Sequence, residues 1–318
     1  NATTVEITEN DGSAIALVNA ASFDLRSAGN ITQTGTITLS GAMNLRIKTN
    51  ADQDIILDTQ DNDIDGTITL YEEAPGSIRD YLIRNISASA GVTNIGGVSR
   101  NVEFDYPNAA INFESMSIGG TLTVNAGGAV TQTGGSAIAV TGTTSITATG
   151  FAITLSESGN NFTGAFTVPG ALSLDVEDTN AFVIGAVTVT NAAVITSGST
   201  VNGSNGAGTA DITAASVNIS AQTGIGATQV IDLSGVDTIT AADTVSGNIV
   251  ISNAADAAVS VTSMRVTGGI GAINYTQTGN RSLALVAVSA FNGNVTVSNT
   301  GGTGADITCA SVSADTTN

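Results

Sequence analysis

The segment Asp61-Asn62-Asp63-Ile64-Asp65-Gly66-Thr67-Ile68-Thr69-Leu70-Tyr71-Glu72 holds the densest set of potential ligands in the chain. Its carboxylates at the first, third and fifth positions, glycine at the sixth and glutamate at the twelfth match the spacing of an EF-hand loop. Hard carboxylate oxygens converging from such a loop would hold Ca²⁺. Asp61, Asp63 and Asp65 would be the main ligands, Glu72 would close the site, and Asp52, Asp54 and Asp58 are near enough in sequence to contribute. The flanks support a second reading. IILDT before and TITLY after alternate as strands, whereas an EF-hand needs helices. A related segment further on has Asn160, Asn161, Phe162 and Thr163 in place of Asn62, Asp63, Ile64 and Asp65. On this reading the loop is an acidic, solvated turn whose backbone needs no metal.

A second candidate is Glu103, Asp105 and Glu114, with Arg79, Arg84, Arg100 and Tyr106 nearby in sequence. Paired carboxylates beside cationic groups are what glycan cleavage uses. The chain has no His and no Trp, and only 4% of it is aromatic. Every His-dependent mechanism is therefore excluded, and little is left to stack on sugar rings. The expectation is surface ion pairs, no catalytic residue and no enzyme activity. Asp175, Glu177 and Asp178 read as a solvated patch at a strand end. Cys309 is the single cysteine, so no intramolecular disulfide is expected. It falls in ADITCASV where the related ADITAASV has Ala214, and reads as a small buried core residue.

The elements that must position these groups are strands. TITLS, TLTVNA, SITAT, ALSLDV, AVTVT and NVTVSN alternate apolar with polar residues, the period of a half-buried strand. Composition agrees: 37 Gly, 11% charged and 42% hydrophobic residues, with a mean hydropathy of +0.26. Disordered chains do not carry so much apolar surface. The one candidate for a helix is Ser77-Ile-Arg-Asp-Tyr-Leu-Ile-Arg-Asn-Ile86. Eight basic residues against 27 acidic ones give a net charge of −19, which disfavours nucleic acid. No apolar run is long enough to span a bilayer as a helix, so no membrane insertion is expected.

Repeats organise the strands. Ile31 to Leu70 and Val130 to Val168 both open on TQTG and close on a similar turn, with Thr32 and Thr131 99 residues apart and Gly66 and Gly164 98 apart. GNIVISN at Gly247 and GNVTVSN at Gly293 recur at 46 residues, and ADITAASV and ADITCASV at 95. The reading is an all-β, parallel β-solenoid, in which each coil covers its neighbour. One continuous domain is expected over residues 1–318, with super-repeats near 31–129 and 130–220 and shorter degenerate copies over 221–318. At roughly 20 residues per coil the chain would hold about 16 coils.

The stretch Gly119 to Gly135 (GGTLTVNAGGAVTQTGG) and the Asn160-Asn-Phe-Thr-Gly164 turn resemble the repeats of filamentous-haemagglutinin-like large exoproteins of the two-partner-secretion and autotransporter systems. The resemblance implies a right-handed parallel β-helix (β-solenoid), an extracellular or cell-surface location, and roles in adhesion, biofilm or fibre formation. The expected function is thus a non-catalytic structural or adhesive segment of a secreted or cell-surface bacterial protein. Its expected partners are other copies, end to end or side by side, and a host or surface glycan or protein receptor. Two alternatives are a filament subunit joined through TTVEITEN or GADITCASVSADTTN by β-strand addition, and a polysaccharide-acting β-helix enzyme or phage-type fibre. No cofactor is expected apart from the Ca²⁺ considered above.

Overall fold

Alternation of side chains decides the fold. In the computed structural model, which describes residues 2–49, 51–73, 78–91, 93–301 and 304–315, every helix-or-strand element is a β-strand. Within each compact part the strands pair in parallel and stack as β-solenoid coils, about 14 turns in all. The coils are therefore longer, and fewer, than the repeat spacing suggested. The segment considered for a helix is instead a strand over Ile78–Asn85, with Ser77 outside the described residues. Its burial alternates except at Asp80 and Tyr81, which are both buried at a register irregularity between Gln53 and Ile55. That break in the alternation is what made the segment look helical.

The chain forms two compact units, residues 1–162 and 163–318. In the first, Ser13, Ile31, Ile55, Tyr81, Val102, Leu122 and Thr144 lie above one another in register, each one coil after the last. A second column runs Ile7, Leu25, Leu45, Leu70, and a third Val98, Ile118, Val140, Phe162. Apart from Ile7 and Ser13, at the start of their columns, these positions are buried. Burying each Leu, Ile or Phe is worth about 1.5–3 kcal/mol. Phe104 anchors the aromatic part of this core, with ring centroids 5.8 Å from Tyr81 and 5.6 Å from Phe113.

In the second unit Val176, Ile195, Ile219, Ala241, Met264, Val288 and Val312 form one column. Phe182, Val201, Ile225, Ile249, Ile273 and Val295 form another. Corners absorb differences in coil length. Phe182–Ile184 stack on Val201–Gly203, and Val187 stacks on Ile212, so two residues at one corner face eight at the next without loss of register. Gly203 permits this, since a Cβ there would stand 2.2 Å from Asp211 Oδ2.

Of the two runs considered for strand addition, Ala2–Thr8 pairs with Val18–Ser27, while Ile307–Cys309 and Val312–Asp315 pair with the strands at Leu283 and Val288. Cys309 is exposed, contrary to the buried position expected for it. Its partner Leu285 is buried and so is Ala214 of the related sequence. The strand carrying Cys309 is paired on one side only among the described residues.

Candidate functional site

The acidic segment Asp61–Glu72 is extended chain. Asp61 and Asp63 lie in the strand Gln53–Ile64 and Glu72 ends the strand Ile68–Glu72. Alternation sends Asp61, Asp63 and Asp65 outward and Asn62 and Ile64 inward. The carboxylates are engaged separately. Arg84 Nε donates to Asp61 Oδ1 at 2.6 Å, Ser87 Oγ to Asp65 Oδ1 at 2.5 Å, and the Ile78 amide to Glu72 Oε1 at 2.8 Å. The four residues are not gathered into one ligand set. Among the described residues no group of three or more His, Cys, Asp or Glu could hold a metal ion.

The inward residue of this segment carries its structural role. Asn62 is fully buried and faces Gln33 of the preceding coil. Gln33 Nε2 donates to Asn62 Oδ1 at 2.9 Å, and Asn62 Nδ2 donates to Gln33 Oε1 at 3.1 Å and to the Leu57 carbonyl at 2.8 Å. Asn62 Oδ1 also accepts from the Ile37 amide at 3.0 Å. The related segment repeats the whole arrangement. Gln132 and Asn160 exchange two hydrogen bonds, Asn160 Nδ2 donates to the Leu155 carbonyl at 2.9 Å, and its Oδ1 accepts from Ile138 N at 2.9 Å. Sequence reasoning singled out the carboxylates and passed over this amide pair. The available signal was the Gln of TQTG followed by a distant Asn, at a separation of 29 in one copy and 28 in the other. A third TQTG has a buried Gln277 bonded to the Arg281 carbonyl and to Asn299, whereas Gln222 of AQTG is exposed.

The Arg-rich stretch ties coil to coil on the outside of the first unit. Arg79 holds Asp54 through both Nε and Nη2. Arg84 bridges Asp61 and Asp105, and Asn125 Nδ2 continues the chain to Asp105 at 2.7 Å. Arg100 grips Asp80, which also accepts from the Asn101 amide, and this holds the Asp80 carboxyl below the usual carboxylate range. Glu103 lies on the same outward face as Asp105. Its carboxyl is pushed up by burial first and then by Asp58 and Asp105. Glu114 accepts instead from Thr133 Oγ1, and Tyr106 is buried in the core. The three acids therefore do not converge with the arginines on one point.

Asp178 is buried, not solvated as its patch suggested. It ends a strand and accepts from the Asn180 amide at 2.7 Å. Asp211 is buried and accepts from the Asp232 and Asn205 amides at 2.9 and 3.2 Å, with burial pushing its carboxyl up. These carboxylates secure corners.

A family model described as repeats of unknown function (DUF5649) matches residues 2–71 and again residues 99–168. The two segments are similar to one repeat. They are equal in length, and each contains one Gln–Asn pair. No curated protein and no solved structure matches the chain.

Proposed function

We propose that the chain is a non-catalytic structural and adhesive β-solenoid segment of a secreted or cell-surface bacterial protein. The observation that supports this reading most is the use of polar side chains between coils. Gln33 with Asn62, Gln132 with Asn160, Arg79 with Asp54 and Arg100 with Asp80 each join residues on successive coils. Groups spent on coil-to-coil bonding stiffen a scaffold. They are not poised around a reacting bond, which catalysis would require. The likeness of Gly119–Gly135 and Asn160–Gly164 to filamentous-haemagglutinin-like repeats adds the surface location and the adhesive role. Other copies of the chain and a surface glycan or protein receptor are the partners this reading assigns. It needs no cofactor.

The test presents the purified chain, immobilised, with panels of soluble glycans and extracellular proteins. Retention and the appearance of cleaved product are then followed by chromatography. Retention of a class of ligand without new chain ends supports the reading. Cleavage would overturn its non-catalytic half, and retention of nothing would overturn its adhesive half.

A further inference from the structure

One column of the second unit runs Asp178, Ser197, Ala221, Asp243, Val266, each at the last position of its strand or the equivalent place. Asp178 is served by the Asn180 amide, and Ser197 Oγ donates to the Asn180 and Thr200 carbonyls. Asp243 is placed differently. It has no accessible surface, and neither carboxyl oxygen has a hydrogen bond of ordinary geometry. The coil before it offers Ala221 and the coil after it Val266, both apolar. The amides that approach it, of Val245 and Ser246, donate to the Gln222 carbonyl at 3.0 Å each. Gly247, with φ of 130°, packs so closely that a Cβ there would lie 2.8 Å from Asp243 Oδ2 and 2.7 Å from the Thr223 carbonyl.

No charge compensates this group. Gln222 and Thr223 follow Ala221 on one side, and Thr267 follows Val266 on the other; none titrates. Arg265 precedes Val266 but is exposed on the outer face. The approaching Val245 and Ser246 amides favour the ionised carboxylate, but burial is the larger effect, so the neutral acid is the form the closed corner favours.

We propose that Asp243 is a proton-operated latch on the corner Thr244–Asn248: the corner is closed while the carboxyl is neutral and loosens when it ionises. Burial is the largest cause of the shift that carries this carboxyl up to about 6. The unfolded chain titrates near 3.8. The folded form thus holds its proton more tightly, and the stabilisation is complete below about pH 4 and lost as pH rises through about 6. Beside this corner Val245 and Ile270 are among the most exposed large apolar residues, at 51% and 73%. Loosening it would alter an apolar surface.

The test is amide hydrogen exchange of residues 243–248, corrected for intrinsic rate, from pH 4.5 to 7.5. The wild-type chain is expected to lose about 30-fold in protection over this range, most of it below about pH 6, with a plateau above. Asp243→Asn, which mimics the neutral acid, and Asp243→Ser, the residue at Ser197 in the same column, are expected to show no such transition. A flat wild-type profile overturns the proposal, and that arm needs no variant. A wild-type loss that begins only above about pH 6, or one that either folded variant retains, also overturns it. The variants separate Asp243 from Asp211, whose carboxyl is raised in the same direction.

Discussion

Asn62 shows how one residue can matter more than the charged groups beside it. Replacing it with Ala removes its bonds to Gln33, Leu57, Ile37 and Arg84 and leaves buried partners unsatisfied. Asn62→Ala and Asn160→Ala are each expected to cost about 2–4 kcal/mol in urea unfolding. Asp61→Asn and Asp63→Asn, on the outward face, are expected to change it by less than about 0.5 kcal/mol. Calorimetry with millimolar Ca²⁺ is expected to give no binding heat, because the carboxylates of Asp61, Asp65 and Glu72 are engaged at separate places. Gly247→Ala is expected to destabilise the second unit, since its methyl would meet the Thr223 backbone and φ at 130° disfavours any side chain.

At the scale of elements, what could be read from the sequence was whatever repeats within a short stretch of chain. TLTVNA, ALSLDV and NVTVSN became strands, and burial alternates along TLTVNA and from Ser173 onward in ALSLDV, because period two survives without knowledge of tertiary contacts. The parallel solenoid followed from the long repeats. Ile78–Asn85 was ambiguous because Asp80, covered by Arg100 and Asn101 one coil later, is buried next to Tyr81. The Gln–Asn pairs were hidden for a related reason. Their spacing has meaning only once the coil length is known. Asp178 looks solvated in the sequence, and Asp243 draws no notice there, because nothing local shows that a strand end points into the core. Within the first unit's core, Phe104→Ala is expected to cost about 3–5 kcal/mol in thermal or urea unfolding, as it opens a void among Tyr81, Tyr106 and Phe113.

Across the whole molecule, acid acts on Asp80 and Asp243 in opposite senses. Asp80 in the first unit is held low by Arg100, so its contribution is present above the ordinary carboxylate range and is lost as pH falls through its depressed value. Asp243 in the second unit is held high, and its contribution is lost as pH rises. Hydrogen exchange resolved along the chain is expected to show the neighbourhood of Arg100 losing protection below about pH 4, and the corner after Asp243 gaining it as pH falls from about 6 to 4. The corner between Gly203 and Ile212 bears on a different matter, the history of the gene. Its columns keep step while two residues grow to eight at the bend. In-frame insertions at such bends leave the stacked strands untouched, and so does duplication of a whole coil. A chain built in this way can change length by ordinary copying errors without losing its fold, and foreign peptides spliced after Ser204 should be displayed in the same manner.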